Sequence, residues 1–75
     1  MATQRRQLMV CLRNDGYEAS LERRKIYAAL PDADAARRDQ VRIIDESGED
    51  YLFPAKYFAR VDLPQAARRA VLAAV

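Results

Sequence analysis

Turn-forming residues cut this sequence into short apolar stretches, and that punctuation constrains the fold more than any other feature. Pro31, Pro54 and Pro64, with Gly16 and Gly48, leave no apolar run approaching the roughly 20 residues of a membrane span. Between these breakers the pattern is that of short strands. Leu8, Val10 and Leu12 alternate with Met9, Cys11 and Arg13 and predict a first strand. Asn14-Asp15-Gly16 then signals a turn, because Asn and Gly tolerate positive φ, and residues 17–20 continue the loop. A second strand is expected over residues 21–30, with Ile26, Ala28 and Leu30 on one face and Arg23, Lys25 and Tyr27 on the other. Pro31 has no N–H for a ladder and ends it.

Residues 32–39 (DADAARRD) predict one helical turn with Asp32 as its N-cap. A third strand is expected over 41–45, with Val41 and Ile43 facing inward. Glu46-Ser47-Gly48-Glu49 reads as a hairpin turn in which Gly48 supplies the left-handed residue. A fourth strand over 50–53 stops at Pro54. A single helical turn follows over 54–58, and a short strand over 59–62.

The tail is different in kind. Pro64 suits a first helical position, and the alanines that follow are strong helix formers. Residues 64–75 therefore predict a helix, with Leu63, Ala67, Ala70, Val71 and Ala74 as its apolar stripe. So short a helix is marginal alone in water and must dock, either on the sheet where Ile44 and Leu52 face outward or on a second copy of itself.

The expected architecture is mainly β: residues 1–7 frayed, a small five-stranded barrel over 8–63, and the helix over 64–75 as part of the same domain. Closing the sheet would protect its edges. With 75 residues, and alanine prominent in the 51% apolar fraction, the core is small. It is expected to hold Val10, Leu12, Leu21, Ile26, Ala28, Leu30, Val41, Ile43, Phe53, Phe58 and Val61.

Chemistry is constrained mostly by omission. There is no His, which removes imidazole bases, Ser–His and Cys–His pairs and His metal ligands. The single Cys excludes an internal disulfide and a multi-Cys zinc site. Ser20, Ser47, Lys25 and Lys56 lack partners at catalytic spacing, so the chain is expected to be no enzyme and to need no cofactor. Residues 8–12 are too short for a signal-peptide apolar region, and a cytoplasmic location is expected.

The stretch 25–62 (KIYAALPDADAARRDQVRIIDESGEDYLFPAKYFARVD) resembles a Src-homology-3 (SH3) domain. Such domains end in a hairpin, an aliphatic or aromatic residue, Pro, two small or polar residues, Tyr and an apolar residue. Phe53-Pro54-Ala55-Lys56-Tyr57-Phe58 fits in order and spacing. Val10-Cys11-Leu12 would be the opening strand and residues 14–20 a shortened first loop. The chain also looks like small bacterial proteins of uncharacterised role that carry Arg13-Asn14-Asp15-Gly16 and Asp45-Glu46-Ser47-Gly48-Glu49-Asp50-Tyr51-Leu52. The resemblance implies an SH3-like barrel and a groove lined by Pro54 and Tyr57. It also implies that Pro-rich peptides are not bound in the usual way. The family's paired tyrosines are replaced near Arg13 and Asp15, and its Trp falls near Asp39 and Gln40 in a chain with no Trp.

The first expected function is thus a protein-interaction module whose contact face is built from Tyr57, Pro54, Tyr17 and Arg13, the last offering a charge to an acidic partner. A nucleic-acid-binding barrel is the alternative, using Arg23, Arg24, Lys25, Arg42, Arg68 and Arg69. The net charge of only +2 decides nothing between them. A homodimer through the C-terminal helix is a third reading. Asp45, Glu46, Glu49 and Asp50 crowd the hairpin turn but lack calcium-loop spacing, and Cys11 reads as a small packed residue. No metal is expected.

Overall fold

A computed structural model describes residues 6–73. It contains five strands, β1 (Gln7–Cys11), β2 (Ile26–Leu30), β3 (Gln40–Ile44), β4 (Asp50–Pro54) and β5 (Phe58–Arg60). A short helix, α1 (Ala33–Arg37), lies between β2 and β3, a 3-10 turn (Ala55–Tyr57) between β4 and β5, and α2 (Gln65–Ala73) closes the described chain. All strand pairs are antiparallel, in the order β4-β3-β2-β1-β5. The sheet curls into a half-barrel. β4 and β5 are its two edges rather than partners that close it. The edges are blunted by brevity, by Glu49 beside β4 and Asp50 at its start, and by Pro54.

The turn chemistry behaves as the residues require. Gly16 and Gly48 stand at φ +85° and +86°, where a β-carbon is strained. Asp32 caps α1, its carboxylate accepting the Ala35 N–H at 2.9 Å. At the β3–β4 hairpin Asp45 is buried because its carboxylate works inside the turn, accepting from Ser47 N–H at 2.8 Å and from Ser47 Oγ at 2.5 Å.

The core faces the concave side of the sheet. Cys11, Leu21, Tyr27, Ala29, Ile43, Phe53, Tyr57 and Phe58 form one cluster, with Met9 and Val41 packed against it. This reverses the expected phase of β1 and β2. Met9 and Cys11 face inward instead of Val10 and Leu12, and Tyr27 and Ala29 instead of Ile26, Ala28 and Leu30. Leu12 is 50% exposed, and Val10, Ile26, Leu30 and Val61 are only half-buried. The cause is that both strands are apolar at every position between Leu8 and Leu12 and between Ile26 and Leu30, so alternation cannot fix which side is in. The convex face is covered as well. Leu8 and Ala28, paired across β1 and β2, are buried there outside the inner cluster. On that convex side Ala70 and Val71 of α2 line an open groove of about 490 Å³ with Ile26 and Ile44.

Boundaries also move: β3 runs Gln40–Ile44 rather than over 41–45, and β5 Phe58–Arg60 rather than over 59–62. β2 starts at Ile26 rather than at residue 21, because residues 21–25 turn instead of extending. Gln7, expected to fray, opens β1 opposite Ala29. Residues 1–5 of the expected frayed segment and residues 74–75 of the expected helix lie outside the described residues. No helix among the described residues is long and apolar enough to cross a membrane.

Candidate interaction site

Two loops and the turn before β5 meet at one end of β1. The Leu12 and Arg13 N–H groups both donate to the Tyr57 carbonyl, at 2.7 and 3.4 Å. The Tyr57 hydroxyl returns across the loop to the Asp15 carbonyl at 3.0 Å. Gly16 lets the chain reverse, and Tyr17 N–H closes the turn on the Asn14 carbonyl at 2.8 Å. Asn14 Nδ2 then donates to the Leu21 carbonyl at 3.1 Å, which fixes the far end of the loop.

The result is an aromatic ridge. Tyr17, 37% exposed, stands edge-on against Phe53 with centroids 5.1 Å apart and against Tyr57 at 6.0 Å. Edge-to-face contact of this kind contributes about 0.5–1.5 kcal/mol beyond burial. The Arg13 guanidinium lies 5.2 Å from the Tyr57 ring centroid and pairs with Asp15 at 2.6 Å. That guanidinium holds the Asp15 carboxyl below the usual carboxylate range.

Three of the four expected contact residues, Arg13, Tyr17 and Tyr57, are thus brought together, and half-buried Pro54 adjoins the ridge through its neighbour Phe53. Their roles differ from expectation. Tyr57 is 8% exposed, so it is the floor beneath Tyr17 and not an open contact. Leu12 was expected in the core and instead lies open beside Arg13. Apolar runs in which every position is filled give no signal for that. Gln40 stands opposite Pro54 across β3 and β4, where it is half-exposed.

The basic set is dispersed. Arg42 Nε donates to Asp32 at 2.8 Å and its Nη1 to Asp50 at 3.0 Å, so it clamps α1 to the sheet. It sits opposite Leu30, at the far end of β2 from Lys25. That separation is about 16 Å at 3.3 Å per residue. Lys25 Nζ pairs with Glu46 at 2.6 Å. Arg68 donates to the Arg6 carbonyl and ties α2 to the start of β1. Arg69 is exposed on α2. Arg23 and Arg24 are exposed and make no side-chain hydrogen bond or ion pair with the described residues.

Cys11 is fully buried, and burial chiefly pushes its thiol up. Among the described residues no cluster of His, Cys, Asp or Glu is placed to hold a metal ion. No protein-family model, no curated protein and no solved structure matches the chain.

Proposed function

We propose that this chain is a non-catalytic protein-interaction module of SH3-like fold, with a docking face made of Tyr17, Arg13, Leu12 and Pro54 over a floor of Tyr57 and Phe53. The observation that carries the reading is the ridge itself. Residues from the two halves of the sequence converge to hold a large amphipathic ring partly out of the surface, backed by two buried rings. Tyrosine held in this way presents contact area at little entropic cost. The strand order β4-β3-β2-β1-β5 and the 3-10 turn after Pro54 support the SH3-like part of the proposal. Gln40 opposite Pro54, near where the resembled family carries Trp, supports a ligand other than the usual Pro-rich peptide.

The nucleic-acid alternative has less behind it, since Arg42, Lys25 and Arg68 are engaged within the fold and lie apart from one another. A test is site-specific photo-crosslinking in nuclease-treated lysate of the source cells, with the reactive group at position 17 or at position 66, exposed on α2. The proposal expects a discrete protein adduct from position 17 and none from 66. Equal labelling from both positions, or none from 17, contradicts it.

A further inference from the structure

The segment that enters β2 carries a strained backbone position at Arg24. Arg24 N–H donates to the Cys11 carbonyl at 2.7 Å, and Cys11 N–H donates to the Lys25 carbonyl at 2.9 Å. Two residues therefore oppose one across the end of the β1–β2 ladder, which is a β-bulge. Its first residue, Arg24, has φ +70°. This is the bulge position that glycine normally fills, because a β-carbon is strained there. Bulges re-aim side chains, and strain that a simple glycine would remove points to a use for the side chain kept in its place.

That use is set by the neighbours. The bulge lies against Cys11, and the residues just after β1, Leu12 and Arg13, are bonded to the Tyr57 carbonyl. Arg23 lies near enough to Asp15 to help lower its carboxyl pKa, behind the larger effect of Arg13. Arg23 and Arg24 thus stand by the strand end that leads to Leu12 and by the Asp15 loop that leads to Tyr17, both exposed and both unengaged by the described residues. The surrounding cations are matched instead: Arg13 by Asp15 and Lys25 by Glu46.

We infer that the docking face takes an acidic, extended peptide segment, whose carboxylates pair with Arg23 and Arg24 while an apolar side chain rests on Leu12 and Tyr17. This rests on the docking face proposed above. Arginine suits carboxylate because its planar fork binds both oxygens. A peptide fits better than a polyphosphate backbone, because it can set neutral residues against the exposed Asp15, Glu18 and Glu22 and space its carboxylates to reach the two arginines. A polyphosphate presents charge at every unit.

The test is an NMR titration of the whole chain with three probes: a synthetic peptide alternating Glu with Leu and Phe, its Gln counterpart, and an oligothymidine. The acidic peptide is expected to bind, shifting Leu12, Arg13, Tyr17, Arg23 and Arg24. Arg23→Gln and Arg24→Gly should each weaken it up to about fivefold, the range of an exposed ion pair. Arg24→Gly should also raise the melting temperature, because glycine relieves the bulge. That separates lost binding from lost folding.

Equal binding of the Gln peptide at the same residues overturns the acidic-ligand inference and leaves the docking face standing. Tighter binding of oligothymidine through Arg23 and Arg24 overturns the inference and favours a nucleic-acid face. No shift at Tyr17 from any probe also overturns it, while the position-17 crosslink judges the docking face separately.

Discussion

The Tyr27 hydroxyl donates to Glu46 Oε2 at 2.5 Å and accepts the Glu22 N–H at 2.7 Å. One buried phenol therefore joins the loop before β2 to the β3–β4 hairpin. Lys25 Nζ donates to the same Glu46 oxygen, and Glu46 N–H donates to the Ser20 carbonyl at 3.1 Å. Burial first, and then the Glu46 contact, push the Tyr27 pKa well above its ordinary value. The bulge at Arg24 and the ridge at Tyr17 both hang from this loop, so the pin bears on the proposed docking face as well as on stability.

Tyr27→Phe keeps the ring and removes the hydroxyl, leaving the Glu22 N–H unpaired and Glu46 with Lys25 alone. A loss of about 1–3 kcal/mol is expected, the usual cost of stranding a polar group. Urea unfolding measures it, and an unchanged midpoint would show that the hydroxyl ties nothing.

Acid should weaken the fold for a related reason. The Lys25 ammonium first, and then the Tyr27 hydroxyl, hold the Glu46 carboxyl below its ordinary range. Asp32 is held low first by the Ala35 N–H and then by Arg42. A carboxyl depressed in the folded state contributes stability above its unfolded pKa of about 4, and loses it as pH falls through the lower folded value. Melting temperatures of wild type and Glu46→Gln should differ at pH 7 and converge toward pH 3. A constant gap would contradict the pairing.

The inner face makes a sharper contrast. Phe53 lies under Tyr17 and beside Phe58 at 6.3 Å, and Phe53→Ala should cost about 3–5 kcal/mol, enough to unfold a domain this small. Leu12→Ala should cost less than about 0.5 kcal/mol, since Leu12 is exposed. Chemical denaturation of both variants checks the strand phase, and the reverse order of costs would restore the alternation read from Leu8, Val10 and Leu12.

That pair of residues also marks how far the sequence could be read. Turns were legible because their chemistry is local: Gly16, Gly48, the Asp32 cap and the stop at Pro54 each act through their own backbone. The five strands and the terminal helix followed from spacing between those turns. Phase in β1 and β2 was not legible, because both sides of those strands are apolar. The site was half-legible. Arg13, Tyr17, Pro54 and Tyr57 were singled out, but which ring is floor and which is surface depends on the loop crossing that brings the Tyr57 hydroxyl to Asp15. The Arg24 bulge was hidden, since arginine there gives no turn signal.

Cys11 gives an independent check of that phase. It is fully buried, its thiol donates to the Arg13 carbonyl at 3.1 Å, and burial raises its pKa. In native protein at pH 8 it should resist a thiol reagent and react fully once urea is added. Rapid labelling of the folded chain would place Cys11 on the outer side of β1.

The docking face at Tyr17 and Arg13 is tested by a nuclease-treated pull-down from source-cell lysate. Wild type is compared with Tyr17→Ser and Arg13→Glu, each first shown by its melting curve to be folded. A defined set of proteins is expected on wild type, and both substitutions should deplete it. The same set retained by both variants, or material recovered only without nuclease, would contradict it.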